Sequence, residues 1–330
     1  AFLACMIVAE TPSRHVIRTE ARPFGALLLG FFFITVGMGL DWRAIWSGSF
    51  LSNTTVSFRT TGFEDDFMET VTESILMDKD ARESAVSFRN QNQLRFGSSA
   101  TLRFGGDAKL IRTDFQQHMA EYTGSLGQTI PELNMDDVLA TGQAGAFASL
   151  TVKPFSRLTA TVGARSDYFE HTGDLSVSPR ASLSLQATDQ TSLNLSAGIF
   201  RQNLPMILLA QRDDNRDLDQ PWATHLVGGI EHLLSPDTRV TLEGYLKEYR
   251  DFPMDPEEPS LFTADEAVYR YGFFFNHPEL VSTGRARSRG VELLIQKKLA
   301  RDFYGLASAS WSVSEYRGYD GEWRPRIFDN

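Results

Sequence analysis

Polar and apolar positions between Pro179 and Arg201, PRASLSLQATDQTSLNLSAGIFR, alternate strictly in two runs. Ala181, Leu183, Leu185 and Ala187 share one face of the first run, and Leu193, Leu195, Ala197 and Ile199 share one face of the second. Only a period of two puts every other side chain on one side, so each run predicts a strand. Thr188, Asp189 and Gln190 predict a short polar turn that makes the pair an antiparallel hairpin. The opposite face carries Ser182, Ser184, Gln186, Ser192, Asn194 and Ser196.

The pattern recurs on both sides of this hairpin. Residues 53–63 predict a strand, followed by an acidic loop to about Ser84. Residues 85–96 and 100–116 predict a hairpin across Gly97, Ser98 and Ser99, with a long polar connection then running to about Ala140. Residues 142–152 pair with 158–169 across Lys153, Pro154 and Phe155, leaving Tyr168 and Phe169 at the loop end. A long loop over 202–221 leads to strands 222–233 and 239–249 around the 234–237 turn. In the second of these, Val240, Leu242, Gly244 and Leu246 oppose Thr241, Glu243, Tyr245 and Lys247. The longest loop, from Arg250 to about Arg287, precedes a last hairpin of 290–298 and 303–316. The total is about eleven strands with every second connection short, the rhythm of an antiparallel up-and-down transmembrane β-barrel with tight periplasmic turns and long outer loops. A soluble β-sheet binding protein is the competing fold, but Greek-key connections would break that rhythm.

The first forty residues follow a different pattern. Residues 1–9 are apolar, 10–23 are polar, and 25–40, GALLLGFFFITVGMGL, carry no charge. They predict one or two hydrophobic α-helices, slightly short for a span, with Phe24 and Trp42 as flanks. A secretory signal fits less well, because no small-x-small site follows. The expected division is therefore a hydrophobic helical segment over 1–43, a junction over 44–50, and an incomplete barrel over 51–330. Without an initial Met, and with no obvious stop after Asn330, the sequence reads as a fragment at both ends.

Composition sharpens this. Across 330 residues, 42% are hydrophobic and the mean hydropathy is -0.23, too polar for a polytopic helical membrane protein but suited to a barrel, in which only alternate residues meet lipid. A net charge of -10 argues against a nucleic-acid partner, which requires a basic face. Cys5 stands alone, so there is neither a disulfide framework nor a thiolate metal site.

Candidate chemistry is sparse. Asp213, Asn215, Asp217 and Asp219 are spaced like a calcium loop, but Leu218 stands where the turn glycine belongs and Thr224 where the bidentate acid belongs. Of the scattered histidines, His225 and His232 share a strand but are seven apart, on opposite faces, and cannot share a metal. No hydrolase, metalloprotease or nucleotide-binding motif occurs, so the expectation is no enzyme, no cofactor and no metal. Ligand capture would fall to Arg201, Arg212, Arg216, Arg270 and Tyr271 in the loops, since guanidinium forks and aromatic rings suit an anionic chelate.

Two resemblances bear on function. VGARSDYF from Val162, SPRASLSLQ from Ser178, SAGIFRQNLP from Ser196, GRARSRGVELLIQKK from Gly284 and the closing WRPRIFDN resemble, in order, the C-terminal barrel of TonB-dependent outer-membrane receptors. The resemblance covers roughly 51–330 and implies an outer-membrane importer of a scarce ligand such as a ferric siderophore. Such a receptor has about twenty-two strands, a plug, and a TonB box through which the TonB system acts. About half of that barrel, and neither plug nor TonB box, is expected here. AFLACMIVAE followed by RPFGALLLGFFFITVGM resembles the late helices of the monovalent cation:proton antiporter-2 family. That likeness implies an inner-membrane origin for about 1–43, and a cation:proton antiporter fragment is the alternative function. A half barrel would leave the edges at 53–63 and 303–316 unpaired in lipid. The polypeptide alone is therefore expected neither to import a ligand nor to conduct cations.

Overall fold

The computed structural model describes residues 34–47, 49–68, 75–123, 129–130, 132–265, 279–300 and 302–326. They form one antiparallel sheet of 13 strands in which chain neighbours are sheet neighbours, interrupted only by a small two-stranded ribbon. The strands are β1 (Ile34–Ser47), β2 (Phe50–Met68), β3 (Ile75–Phe96) and β4 (Ala100–Met119). The ribbon is β5 (Tyr122–Thr123) with β6 (Thr129–Ile130). The sheet continues with β7 (Leu133–Phe155), β8 (Leu158–Phe169), β9 (Asp174–Gln186) and β10 (Thr191–Arg201). After a short helix α1 (Met206–Ala210) and a 3-10 turn (Asp213–Asp217) come β11 (Trp222–Ser235), β12 (Thr238–Met254), β13 (Val281–Ala300), β14 (Phe303–Arg317) and β15 (Trp323–Pro325).

The register places the alternating residues on two separate surfaces. Across β9 and β10, Leu185 faces Leu193, Leu183 faces Leu195 and Ala181 faces Ala197, while Ser184 faces Asn194 and Ser182 faces Ser196. The aliphatic face continues through Ile230 of β11, Leu242 of β12 and Leu293 of β13. These side chains are exposed, Leu195 by 48% and Leu242 by 46%, so the apolar face of this wall is not buried in a protein core. On the other face hydroxyls bond across strands, Thr151 to Thr161 at 3.0 Å and Ser288 to Ser314 at 2.9 Å. A continuous exposed apolar face backed by a polar face is the two-solvent pattern of a barrel wall.

The tight turns lie at 97–99, 156–157, 187–190 and 236–237, and β13 and β14 close on one another at Ala300↔Phe303. Gly97 and Asp302 adopt φ of 61° and 62°, the left-handed backbone that closing so short a turn requires. At 187–190 the Thr188 hydroxyl accepts from the Gln190 backbone N–H at 3.2 Å, a local side-chain turn that needs no glycine.

Several expectations are corrected. The helix expected over 25–40 gives way to strand from Ile34 on, because β1 pairs with β2 from Ile34↔Gly62 to Ser47↔Phe50. Gly37 and Gly39 weaken a helix in this stretch, and the free edge of β2 offers a full set of backbone partners. At the expected 44–50 junction, Ser47 pairs with Phe50. Residues 1–33, with Cys5 and His15, lie outside the described residues. The strands also run further toward the long-loop side than their alternation suggests: β2 continues to Met68, β3 begins at Ile75, β7 at Leu133 and β13 at Val281. The acidic loop ending near Ser84 and the polar connection ending near Ala140 are thereby shortened. Both faces of such extensions can be polar, so the period-two signal fades while backbone pairing continues. The edges are β1 and β15 rather than 53–63 and 303–316, and among the described residues they do not pair with each other.

Candidate functional site

The polar face changes character at the long-loop end of β10 to β14. Where Ser and Thr dominate lower down, this face presents Phe200, His225 and Tyr249 on β10, β11 and β12, the small Ala286 on β13, and Tyr316 on β14, since Ala223 pairs with Phe200 and Tyr249, and Ala286 with Tyr249 and Tyr316. The Phe200 and His225 rings stack at 4.5 Å, and His225 meets Tyr249 edge-on at 6.2 Å. The series continues through Phe252 at 6.3 Å and Phe262 at 5.3 Å to Tyr316 at 5.2 Å. Such pairs contribute about 0.5–1.5 kcal/mol each beyond their burial, so the row is a stiff element.

The segment after β12 fastens this row from above. Met254 and Phe262 are buried with Ala286 in a small core, one of the few places where the polar face is covered. The Tyr316 hydroxyl donates to the Ser260 carbonyl at 2.7 Å, and the Tyr319 N–H donates to the Pro259 carbonyl at 2.8 Å. Arg326 pairs with the buried Asp265 and lies 5.2 Å from the centre of the Phe262 ring. Between this segment and the 202–221 connection lies a cavity of about 440 Å³, walled by Phe200, Leu208, His225, Tyr249 and Phe252 and edged by Asn203 and Thr263. An apolar, aromatic hollow with a few polar groups is the usual form of a small-ligand site. Lys247 pairs in register with His225 and stands 4.6 Å from the centre of the Tyr245 ring, supplying a cation on the same face.

A second polar network holds the wall below the mouth. Arg165 of β8 reaches over β7 to Asp107 of β4 through a two-pronged contact of 2.8 and 3.1 Å, and its Nε bonds Asp167 at 2.8 Å. It crosses at Gly145, where an added Cβ would come within 2.2 Å of the guanidinium. Tyr245 likewise lies over Gly290, its ring burying the β13 backbone there.

The residues expected to capture ligand are not brought together. Arg201 is at the rim of the cavity, but its guanidinium lies 5.7 Å from the Trp222 ring centre on the apolar face. Arg212 precedes the 3-10 turn and faces Asp214 at 3.6 Å. Arg216 is exposed within that turn, near His171 of the 170–173 connection. Burial, and Arg216 second, push the His171 imidazole below its ordinary pKa. Arg270 and Tyr271 lie outside the described residues. The calcium-like spacing is structural: Asn215 is buried and donates to the Leu208 carbonyl at 2.7 Å, tying the 3-10 turn to α1. His225 and His232 take opposite faces as their spacing requires, His225 in the aromatic row and His232 against Thr191 at 2.9 Å. The aromatic row itself was missed. Its signal was the replacement of Ser and Thr by Phe, His and Tyr at polar-parity positions, in the strand ends that border the long loops.

An up-and-down antiparallel wall with one lipid-type face and one polar face defines a transmembrane β-barrel protein. The family described as TonB dependent receptor-like, beta-barrel matches residues 27–327, and the chain belongs to that family. Solved structures share the fold at low identity. The outer membrane transporter YddB from Escherichia coli superposes with a TM-score of 0.60 at 12% identity, over 86% of this chain and 43% of that one. The ferripyoverdine receptor of the outer membrane of Pseudomonas aeruginosa gives 0.63 at 11% identity, over 88% and 41%. The copper transporter OprC gives 0.62 at 14% identity, over 86% and 49%. The chain thus spans less than half the length of these structures. The glutathione-regulated potassium-efflux system protein KefC of Cronobacter sakazakii is 48% identical over 45 residues, 14% of this chain and 7% of KefC.

Proposed function

We propose that the chain is part of the barrel of an outer-membrane TonB-dependent receptor, with its polar face lining the ligand path and its long connections outside the cell. The observation that carries this is the uninterrupted exposed aliphatic face from Leu183 through Leu195 and Leu242 to Leu293, a surface that water would not tolerate and lipid would. A ferric siderophore or comparable chelate is the ligand class that the mouth supports. The row Phe200, His225, Tyr249 offers flat rings to a conjugated ligand, and Lys247 offers positive charge to an anionic one. Uptake through the complete barrel would draw energy from the TonB system, the family's expected partner. The alternative, a cation:proton antiporter fragment, rests on the 45-residue likeness to KefC, 14% of this chain, and among the described residues no helix is long and apolar enough to cross a membrane.

The test is direct titration of the detergent-solubilised chain with a ferric tris-catecholate complex, following quenching of intrinsic Trp and Tyr fluorescence. Saturable quenching that weakens in Tyr249→Ala and His225→Ala is expected. Quenching identical in wild type and both variants would remove the aromatic mouth from the binding path. Circular dichroism dominated by helix would remove the barrel itself.

A further inference from the structure

The aromatic cavity owes one of its walls to an irregularity in β12. Tyr249 pairs with Ala286 and Phe252 with Gly284, three steps along β12 against two along β13, so β12 carries one extra residue there. Plain alternation from Tyr249, which faces the cavity, would turn Asp251 inward and Phe252 to the outer face. The extra residue reverses this. Phe252 lies 6.3 Å from Tyr249 and 5.3 Å from Phe262 and lines the cavity. Asp251 instead reaches the outer face, where its carboxylate accepts from the Trp222 indole N–H at 2.6 Å. Its φ of 60° is left-handed, and within the described strands it is the one non-glycine residue in that region. Gly284 makes room opposite: an added Cβ would come within 2.8 Å of the Phe252 carbonyl oxygen and 2.9 Å of the Phe252 Cβ.

We infer that Asp251 is a positioning residue for the ligand cavity: the bulge it forms, locked by the Trp222 indole, turns Phe252 inward to join Phe200, His225 and Tyr249. Aspartate meets both demands of the position. Its short side chain tolerates left-handed backbone, and its carboxylate accepts a charge-assisted bond that a glycine there would not make. Backbone in a sparsely populated region persists where its surroundings over-determine it, and here Trp222 does so from β11 and Gly284 from β13. A bulge beside a binding site re-aims a side chain, and the side chain re-aimed here is the one that links two parts of the mouth. Without it the aromatic row breaks. Tyr249 loses its contact with Phe252, and Phe252 loses its contact with Phe262, the ring that anchors the 255–265 segment.

This inference rests on the ligand reading above, so its test separates the two. Cys5 is the only cysteine in the chain, so a Cys5→Ser background with Phe252→Cys and Ala264→Cys holds two thiols, both on the cavity lining when residue 252 faces inward. A short bifunctional thiol reagent bridges them only in that arrangement, and mass spectrometry counts the bridged chains. Bridging is expected in this background and should be lost in Asp251→Val, whose β-branched side chain is excluded from left-handed backbone. Deleting Asp251 removes the extra residue, returns Phe252 to inward parity and should restore bridging. Trp222→Phe keeps the ring, loses only the N–H, and should lower bridging part of the way. Titration with the ferric tris-catecholate complex, on chains that keep Phe252 and Ala264, should follow the same order, Asp251→Val weakening binding about fivefold and the deletion recovering it. A purely structural role for Asp251 predicts the reverse, with the deletion worse than the substitution. Bridging that persists in Asp251→Val and Trp222→Phe alike, or a deletion that binds as weakly as Asp251→Val, would overturn the inference. A wild-type chain that shows no saturable quenching refutes the ligand reading alone, because bridging still reports which way residue 252 faces.

Discussion

Leu195 and Ser196 are consecutive residues of β10 at the same height in the wall, and they differ only in the face they occupy. Leu195 stands between Leu183 and Gly228 on the exposed aliphatic surface. Ser196 stands between Ser182 and Val227 on the polar surface, in a hollow also lined by Thr161, Asn194 and Glu243. Leu195→Arg would place a guanidinium in hydrocarbon, at a cost of about 2–4 kcal/mol near the midplane and about 0–1 kcal/mol near an interface. Ser196→Arg would place the same group in water within reach of an acid, so its cost should stay below about 1 kcal/mol. The position along a strand sets the depth. Each residue contributes about 2.3 Å of height for a rise of about 3.3 Å at a tilt of about 45°, so Leu242 and Leu246 on β12 differ by about 9 Å. The Arg penalty should therefore fall from Leu242 to Leu246, and nearly vanish at Glu248. Urea unfolding of the chain in lipid vesicles, followed by tryptophan fluorescence, measures these differences. Equal penalties at Leu195 and Ser196, or no decline along β12, would refute lipid exposure of the aliphatic face.

Gly145→Ala should displace Arg165 from Asp107 and cost about 1 kcal/mol, because the pair is partly solvated; the loss should disappear in an Arg165→Met background, read by chemical denaturation. Phe262→Ala removes a ring that is 2% exposed and joins Phe252 to Tyr316, and should cost about 3 kcal/mol locally. Limited proteolysis should then cut within 255–265, and an unchanged digest would argue against that anchor. Lys297, with Ser235 second, holds the Asp237 carboxyl at about 2, below its ordinary range. A group depressed in the folded state stabilises it above the unfolded value of about 3.9, and that contribution is lost as pH falls toward about 2. Protection of the Lys298 amide, which donates to the Asp237 carbonyl at 2.8 Å, should fall across that window in wild type once intrinsic exchange is divided out, and show no such step in Asp237→Asn.

The wall itself was legible in the residues because it is written locally. A period of two in a strand needs nothing more than the pleat, so Leu183, Leu185, Leu193 and Leu195 declare a common face, and all eleven expected strands are present. Turn chemistry at Gly97 and around 187–190 likewise depends only on neighbours along the chain. Tertiary structure decided what lacks such a period. Residues 34–40 satisfy an apolar helix as well as a strand by composition, and only the open edge of β2 selects the strand. The polar strand extensions at 75–84 and 133–141 are held by ladder bonds to partners rather than by any amphipathic pattern. The aromatic row joins residues from five distant segments, so the aromatics at polar-parity positions hint at each member but no spacing could show that they meet.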